Sequence, residues 1–326
     1  MNILLVYYWD PRWIGASCQK VLSQRHHVEF FDLGQTPGYT TRLGKSLCLG
    51  RRADVSSAIS QCSREPDVVI EIDGYGSFHL TGYRSLGIPT AYWAIDSHIN
   101  LDFQRNIAPD FDYIFVAQKD YMNSFRQVAD DVSWLPLAVD PEIHRRFTVD
   151  KQFDIGYVGS FYDPVWLAGH SKLAAFWLSR TAFKERMRLL THLSAKYNLV
   201  VSNNAWGENL AKVYNLCKIG FNQSIGGDLN LRVFEVMSSG TMLLTDRIGN
   251  GLTELFGDRE HLVTYSARDL DDLVDYYLGD ESEREKIADQ GQQIVRKKHT
   301  YEVRMDEMLA KLTRGRTFQP CSPAHT

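Results

Sequence analysis

The chain of 326 residues lacks any long hydrophobic run: no stretch reaches the ~18 to 20 apolar residues that a membrane-spanning helix requires. It also lacks a surplus of either charge, because 36 Lys and Arg face 40 Asp and Glu, for a net charge of -4. We therefore expect no membrane span and no nucleic-acid partner. The start, MNILLVYY, has no basic segment before its apolar residues, so it predicts a buried strand rather than a signal peptide.

Cysteine is scarce and irregularly placed, with five residues and no CxxC spacing. An odd number without a motif predicts neither a disulfide framework nor a zinc site, and a reducing cytoplasm suits such a chain best. The ten His are scattered, without an HExxH pattern, so we predict no metal and no cofactor. The five cysteines are Cys18, Cys48, Cys62, Cys217 and Cys321.

Two familiar motifs are incomplete, and a third stands in the wrong structural context. In a phosphate loop of the pattern GxxxxGK[ST] with Gly44 as its second glycine, the first glycine would have to stand where Tyr39 does. The segment GYGSFHLTG lacks the third glycine of a dinucleotide fingerprint. Asp269 and Asp271 have the spacing of a metal-binding DxD, but they open an amphipathic helix pattern instead of ending a strand. A P-loop NTPase and a nicotinamide enzyme are therefore not expected.

Short apolar runs alternate with helical patterns along the whole chain, which is typical of α/β proteins. The length suggests two domains, and we predict a first domain over 1–150, a second over 151–298, and a terminal helix with a tail over 299–326. Each domain is expected to be a doubly wound parallel sheet. Because ligands of such sheets bind outside the carboxyl ends of the strands, we expect function to lie in the strand-end loops.

The stretch NLRVFEVMSSGTMLLTD, residues 230–246, predicts a buried helix and a strand, yet Arg232 and Glu235 interrupt the apolar helix. A helix beginning near Asn230 would present free N–H groups to an anion, and Gly227 before it permits close backbone approach. Arg232 could then hold a diphosphate and Glu235 the hydroxyls of a ribose. An ordinary ion pair across one helical turn is the alternative.

Three further loops carry candidate donor-binding residues. Gly159 and Ser160 follow a strand, where a glycine turn and a hydroxyl could meet the diphosphate, although the glycine alone would also serve a plain turn. Trp206 could stack on a nucleobase or belong to the core. Asn250 and Gly251 precede a short helix and could contact the sugar or the phosphate.

Two strands end in aspartates that could act on an acceptor. Asp73 and Asp96 stand at predicted carboxyl ends, and His98 follows two residues later. A general base must reach the attacking hydroxyl, which a carboxylate or an imidazole at such an edge can do. A strand-end Asp can equally cap the next helix, so both roles remain open.

The segments YNLCKIGFNQSIGGDLNLRVFEVMSSGTMLLTDRIGNGLTELF, HLVTYSARDLDDLVDYYL and HTYEVR closely resemble CgeB-like (spore-protein-type) glycosyltransferases over roughly residues 153–312. The resemblance implies a GT-B fold with two Rossmann-like domains facing across a cleft, and metal-independent transfer. It also implies that Asn230, Arg232 and Glu235 serve the donor. The related family-4-like enzymes carry two glutamates eight positions apart. Counted back from Glu235, the first of them would stand where this chain has Gly227, and Asp228 is the nearest carboxylate.

We therefore predict a glycosyltransferase, of the hexosyltransferase class, that moves a sugar from a nucleoside diphosphate sugar to an acceptor hydroxyl. The acceptor would be a glycan, a glycoprotein or a small molecule. Two alternatives remain at this stage. One is a nucleotide-sugar epimerase of the same architecture, and the other is a non-catalytic carbohydrate-binding or scaffold protein.

Overall fold

The computed structural model describes residues 1–10, 12, 14–35, 39–42, 45–48, 53–73, 79–159 and 172–314. The chain divides into two compact units. The first comprises Met1–Pro136 together with the residues from Tyr301 onward, and the second comprises Leu137–Thr300. In the described part of the chain, no helix combines the length and the apolar character needed to cross a bilayer.

The first unit contains a six-stranded sheet and a separate antiparallel pair. Its strands are β1 (Asn2–Tyr7), β2 (His27–Asp32), β3 (Tyr39–Arg42), β4 (Lys45–Cys48), β5 (Val68–Ile72), β6 (Thr90–Ala94), β7 (Tyr113–Val116) and β8 (Val132–Trp134). The large sheet has the order β2-β1-β5-β6-β7-β8 with every neighbouring pair parallel, and β3 pairs with β4. Strands β5 and β6 are buried at every position, because helices cover both faces of such a sheet.

The helices of the first unit are α1 (Ile14–Leu22), α2 (Val55–Ile59), α3 (Ser97–Ile107), α4 (Met122–Arg126) and α11 (Tyr301–Leu312). The terminal helix α11 confirms its sequence pattern, since Tyr301, Met305, Met308, Leu309 and Leu312 are all buried. It belongs to the first unit because its face packs there: Arg304 Nε donates to the Pro136 carbonyl at 2.7 Å, and Arg25 pairs with Asp306.

The division between the units falls earlier than the boundary near residue 150 that the sequence suggested. Residues 137–152 are attached to the second unit by their backbone. The Phe147 N–H donates to Asn215 Oδ1 at 2.7 Å, while Asn215 Nδ2 donates to the Arg145 carbonyl at 2.9 Å. One buried asparagine thus holds both sides of this segment, a tertiary constraint that composition does not reveal.

The second unit is a five-stranded parallel sheet in the order β10-β9-β11-β12-β13. Its strands are β9 (Phe153–Val158), β10 (Leu199–Ser202), β11 (Cys217–Asn222), β12 (Met242–Asp246) and β13 (Val263–Tyr265). Its helices are α5 (Lys172–Lys196), α6 (Glu208–Asn215), α7 (Leu231–Ser238), α8 (Leu252–Leu255), α9 (Leu270–Gly279) and α10 (Glu281–Lys298). The prediction of an α/β fold with two doubly wound sheets is confirmed.

Each sheet has a point where the chain reverses its direction of winding. In the first unit this switch point lies between β1 and β5, and in the second it lies between β9 and β11. Helices on either side of the switch diverge, which leaves a crevice at the carboxyl ends of the two central strands. The carboxyl ends of β9 and β11 are therefore the first place to look for a site.

Gly291 in α10 allows that helix to lie directly against the backbone of the second unit. A Cβ added there would stand 2.3 Å from the carbonyl oxygen of His261, and a backbone atom cannot move aside cheaply. We expect Gly291→Ala to lower the free energy of unfolding by about 1 to 3 kcal/mol, although alanine is the better helix former. Urea denaturation followed by circular dichroism measures this.

The matched control is Gly279→Ala, at the end of α9 in the same unit, where an added Cβ meets nothing within 4 Å. This variant should be as stable as the parent or more stable by up to ~1 kcal/mol. Equal effects of the two substitutions would contradict the close packing of α10.

Candidate functional site

Arg232, in the first turn of α7, spans the switch point of the second sheet. Its Nε donates to the Val158 carbonyl at the end of β9, and its Nη1 donates to Asn222 Oδ1 at the end of β11, both at 2.6 Å. The guanidinium therefore bridges the two central strands. No hydrogen bond from its Nη2 to another described residue is present, so this edge of the group remains available to a ligand.

The end of β9 is shaped around this guanidinium. Tyr157 lies with its ring centroid 4.6 Å from the Arg232 Cζ, a cation–π distance. A Cβ at Gly159 would stand 2.2 Å from Arg232 Nη2, so only glycine permits this approach. Gly159 is thus explained by the arginine beside it. Ser160, the other predicted residue of this turn, lies outside the described residues.

Arg186, on α5, is a second cation at this place that the sequence analysis missed. It is only 4% exposed, its Cζ lies 5.6 Å from the Tyr157 ring centroid, and its Nη2 donates to the Gln223 carbonyl at 2.9 Å. Burial lowers the pKa of Arg186, and the positive charge of Arg232 acts in the same direction. Two guanidinium groups therefore flank one aromatic ring.

A signal for Arg186 was present in the sequence. It occurs three, four and seven positions before Leu189, Leu190 and Leu193, all of which are buried, so it shares their helical face. A charged residue on a buried face requires a compensating partner or a ligand. The helix pattern thus contained the information, but only the fold shows that this face meets Tyr157.

The amino end of α7 is left open by its own N-cap residue. Asn230 has the extended backbone of an N-cap, yet its side chain caps no N–H of the helix. Its Nδ2 instead lies 3.4 Å from Asn222 Oδ1, and its Oδ1 is buried with no hydrogen-bond partner in the described part of the chain. Uncapped N–H groups and the helix dipole at this end favour an anion.

The loop before α7 is held by the loop after β12. Gly226 and Gly227 both have positive φ, at 62° and 74°, and Asn250 Nδ2 donates to the Gly227 carbonyl at 2.7 Å. Asn250 itself has φ of 53°, followed by Gly251 at 82° as the N-cap of α8. Helix α8 has only four residues, so we assign no anion site to its amino end. The role of Asn250 is instead to hold the Gly227 loop through its hydrogen bond.

Glu235 lies one turn after Arg232 and does not pair with it. Its carboxylate lies instead beside the imidazole of His144, whose Nε2 is 3.5 Å from Glu235 Oε1. The alternative of a plain ion pair between Arg232 and Glu235 is therefore not what the structure contains. Glu235 is partly exposed, so one of its oxygens can still meet a ligand.

Trp206 follows β10, the neighbour of β9, and is 49% exposed. A tryptophan of the core would be buried, so the core alternative is wrong for this residue. The end of β10 adjoins the end of β9, because the Gly159 N–H donates to the Ser202 carbonyl at 2.9 Å. Trp206 thus presents part of its ring to solvent after the strand that neighbours β9.

In the first unit, Asp73 and Asp96 come together at the carboxyl edge of the sheet. Asp73 Oδ2 accepts from Gln104 Nε2 at 2.7 Å and from the N–H groups of Ile95 and Asp96, both at 3.4 Å. Asp73 therefore ties β5 to the start of α3. Asp96 is the N-cap residue of α3 without capping it through its side chain.

His98 stands in the first turn of α3, two residues after Asp96. Its ring is partly buried, and its Nδ1 has no hydrogen-bond partner in the described part of the chain. Asp96 and His98 thus lie together at the start of α3, at the carboxyl edge of the first sheet. The Asp73 carboxylate already accepts hydrogen bonds from the backbone of Ile95 and Asp96.

The described residues contain no group of three or more His, Cys, Asp or Glu that could hold a metal ion. The Asp269 and Asp271 pair is a surface feature, as its helical pattern indicated. Asp269 Oδ1 accepts from the Ser266 N–H, and Asp271 pairs with His192 at 2.8 Å.

Known proteins resemble this chain in sequence and in fold. Residues 175–310 match a family described as glycosyl transferase-like, while no curated protein sequence matches. HepE of Anabaena, in complex with UDP and glucose, superposes with a TM-score of 0.62 at 14% identity, over 96% of this chain and 99% of that one. Sucrose-phosphate synthase of Thermosynechococcus elongatus gives 0.59 at 11%, over 95% and 98%. A glycosyltransferase from Rickettsia africae gives 0.60 at 12%, over 96% and 97%.

These likenesses extend over nearly the whole chain and show that its fold is GT-B. The predictions of a GT-B fold and of a glycosyltransferase are confirmed at the level of fold and enzyme class, the latter by the family match over 175–310. Both Arg186 and Arg232 lie inside the matched region.

The state of Asp73 can be tested through the pH dependence of stability. Burial raises the pKa of its carboxyl, against the opposing hydrogen bond from Gln104. Since the folded pKa exceeds the unfolded value of ~3.9, the contribution of this group is fully present below that pH and is lost as pH rises through the folded pKa. Asp73→Asn should therefore gain stability relative to the parent as pH rises from about 4 to 7.

Urea denaturation at several pH values measures this difference. Asp102→Asn, an exposed position on the same helix α3, controls for the loss of one negative charge. A difference between Asp73→Asn and the parent that stays constant or shrinks with rising pH would contradict a raised pKa.

Proposed function

We propose that this protein transfers a sugar, a hexose, from a nucleoside diphosphate sugar to an acceptor hydroxyl. The observation that carries the proposal is the pair of guanidinium groups, Arg186 and Arg232, beside the ring of Tyr157 at the switch point of the second sheet. The glycosyl transferase-like match over 175–310 supports the same conclusion.

Arg186 and Arg232 bring two positive charges to one site with little solvent, which favours the binding of an anion. Arg186 is buried, and its positive charge and that of Arg232 disfavour one another. A diphosphate that contacts both would add negative charge beside them, because planar guanidinium groups bind phosphate oxygens through paired hydrogen bonds. The open amino end of α7 would add N–H donors to the same group.

The same charges would also serve the reaction. Negative charge grows on the diphosphate as its bond to the sugar breaks, and groups already fixed around it stabilise the transition state. In this proposal the positive charge comes from Arg186, Arg232 and the amino end of α7. We accordingly propose transfer without a metal ion or other cofactor.

The remaining donor residues take complementary parts. We assign the ribose hydroxyls to Glu235, since a carboxylate accepts from both of them, and stacking on the nucleobase to Trp206. Gly227, braced by Asn250, lets the backbone approach the sugar phosphate. HepE forms complexes with UDP and with UDP-glucose, so UDP is the first nucleoside diphosphate to test here.

On the acceptor side, we assign the general base to Asp96 or His98 and a positioning role to Asp73. The acceptor would be a glycan, a glycoprotein or a small molecule that offers a hydroxyl. We further propose that the enzyme is of the CgeB-like type, on the pattern of Asn230, Arg232 and Glu235. It would work in the cytoplasm, where the free thiols Cys18, Cys62 and Cys217 persist.

A panel of UDP, GDP and ADP and of their glucose conjugates tests the proposal. The midpoint temperature of thermal unfolding should rise with at least one nucleoside diphosphate, because a ligand that binds the folded state stabilises it. The matching sugar conjugate should be hydrolysed slowly in the absence of an acceptor. No stabilisation by any of the three, or conversion of a donor to its isomer, would overturn the proposal.

We expect Arg186→Met and Arg232→Met each to weaken nucleoside diphosphate binding by about 10- to 100-fold, since a hydrogen bond to a charged group contributes ~1.5 to 3 kcal/mol. Binding of the nucleoside without phosphates should change little. Calorimetric titration with both ligands separates loss of the phosphate contact from general damage to the site.

Arg188→Met is the matched control. Arg188 lies two residues after Arg186 on the same helix, is exposed, and pairs with Glu185 at 2.7 Å. Its removal should leave the affinity for both ligands unchanged. If Arg186→Met behaved like Arg188→Met, the two-cation site would be wrong.

A further inference from the structure

His144 lies on the segment that enters the second unit, and its backbone is tied to the helix that carries Glu235. The His144 carbonyl accepts from the hydroxyl of Ser238, on α7. The His144 N–H donates to the Asp140 carbonyl at 2.9 Å, which closes a turn. The position of the imidazole relative to Glu235 is thus set through α7 itself.

The imidazole has one nitrogen engaged and one directed at Glu235. Nδ1 lies 3.3 Å from the Asp140 carbonyl oxygen, a long distance for a hydrogen bond. Nε2 is buried, has no hydrogen-bond partner among the described residues, and lies 3.5 Å from Glu235 Oε1. In the tautomer that carries its proton on Nε2, the imidazole donates toward the Glu235 carboxylate.

This arrangement differs from ordinary core packing. A buried polar atom without a partner costs free energy, and a side chain of pure packing function would be apolar. Among the described residues, the Glu235 carboxylate lies 3.5 Å from Nε2, at the outer limit of hydrogen-bond distance.

We propose that His144 is a positioning residue for the donor ribose: it holds Oε1 of Glu235 and thereby directs Oε2 toward the paired ribose hydroxyls. The inference rests on the proposed function, in which Glu235 binds the ribose. His144 does not touch the ligand, because its Nε2 is buried. It acts by reducing the rotational freedom of a carboxylate for which no other hydrogen bond or ion pair is seen within the described ranges.

The test compares ribose recognition rather than overall affinity. The probes are the nucleoside diphosphate that the panel selects among UDP, GDP and ADP, and its 2′,3′-dideoxy analogue. His144→Phe keeps the ring volume and removes both nitrogens. It should weaken binding of the ribonucleotide about tenfold and leave the dideoxy analogue unchanged, so the preference for ribose falls.

Three further variants make the interpretation specific. Glu235→Gln should lower the ribose preference at least as much, and the double variant should lose no more than Glu235→Gln alone, because the two residues act as one unit. His144→Gln places an amide N–H near the former Nε2 and should restore part of the preference. Arg145→Met, the exposed neighbour, is the control and should match the parent.

Steady-state donor hydrolysis provides a second measurement. His144→Phe should raise KM for the donor about tenfold with kcat within about twofold, as expected for lost ground-state and transition-state binding alike. An unchanged ribose preference in folded His144→Phe would overturn the inference. Equal losses for both nucleotides would also overturn it, since they would indicate a purely structural role.

The outcomes separate this inference from the proposed function. If the parent protein binds none of the three nucleoside diphosphates, the proposed function fails. If the parent binds one, and Arg186→Met and Arg232→Met weaken it while His144→Phe keeps the ribose preference, only the role of His144 fails. Thermal unfolding of each variant establishes that it is folded.

Discussion

The guanidinium of Arg232 joins the ends of two neighbouring strands, and much of the second unit is arranged around it. A parallel sheet leaves backbone carbonyls and side-chain amides at its carboxyl edge, and Arg232 uses one of each, from Val158 and Asn222. The group is fixed before any ligand arrives, which reduces the entropy lost on binding. Gly159 is small because the guanidinium lies where a side chain would be.

Helix α7 combines a structural and a chemical role in eight residues. Four of its apolar residues are fully buried and fasten it to the sheet, while Arg232 and Glu235 stand apart from that apolar surface; the four are Val233, Phe234, Val236 and Met237. Gly240 follows the helix, and its φ of 73° supplies the left-handed residue that commonly terminates helices. The core packing of α7 therefore determines where its two charged groups stand, and His144 fixes the second of them.

The two units use their switch points differently. In the second, two cations flank Tyr157 and an uncapped helix end lies nearby, so the place is prepared for an anion. In the first, carboxylates take the central place: Asp73 binds the backbone that leads into α3, and the buried Glu71 contacts His79 and accepts a hydrogen bond from Tyr83. This difference agrees with a donor site in the second unit and an acceptor-activating edge in the first.

The sequence by itself determined the α/β class, the presence of two parallel sheets, the terminal helix and the place of Arg232 and Glu235, because these depend on local periodicity and on residues close in the chain. It did not reveal the division at Pro136, the second cation Arg186, or the pairing of Glu235 with His144. Those features join residues that are tens of positions apart, and only packing brings them into contact. Tertiary structure decided them because burial and charge compensation act in space rather than along the chain.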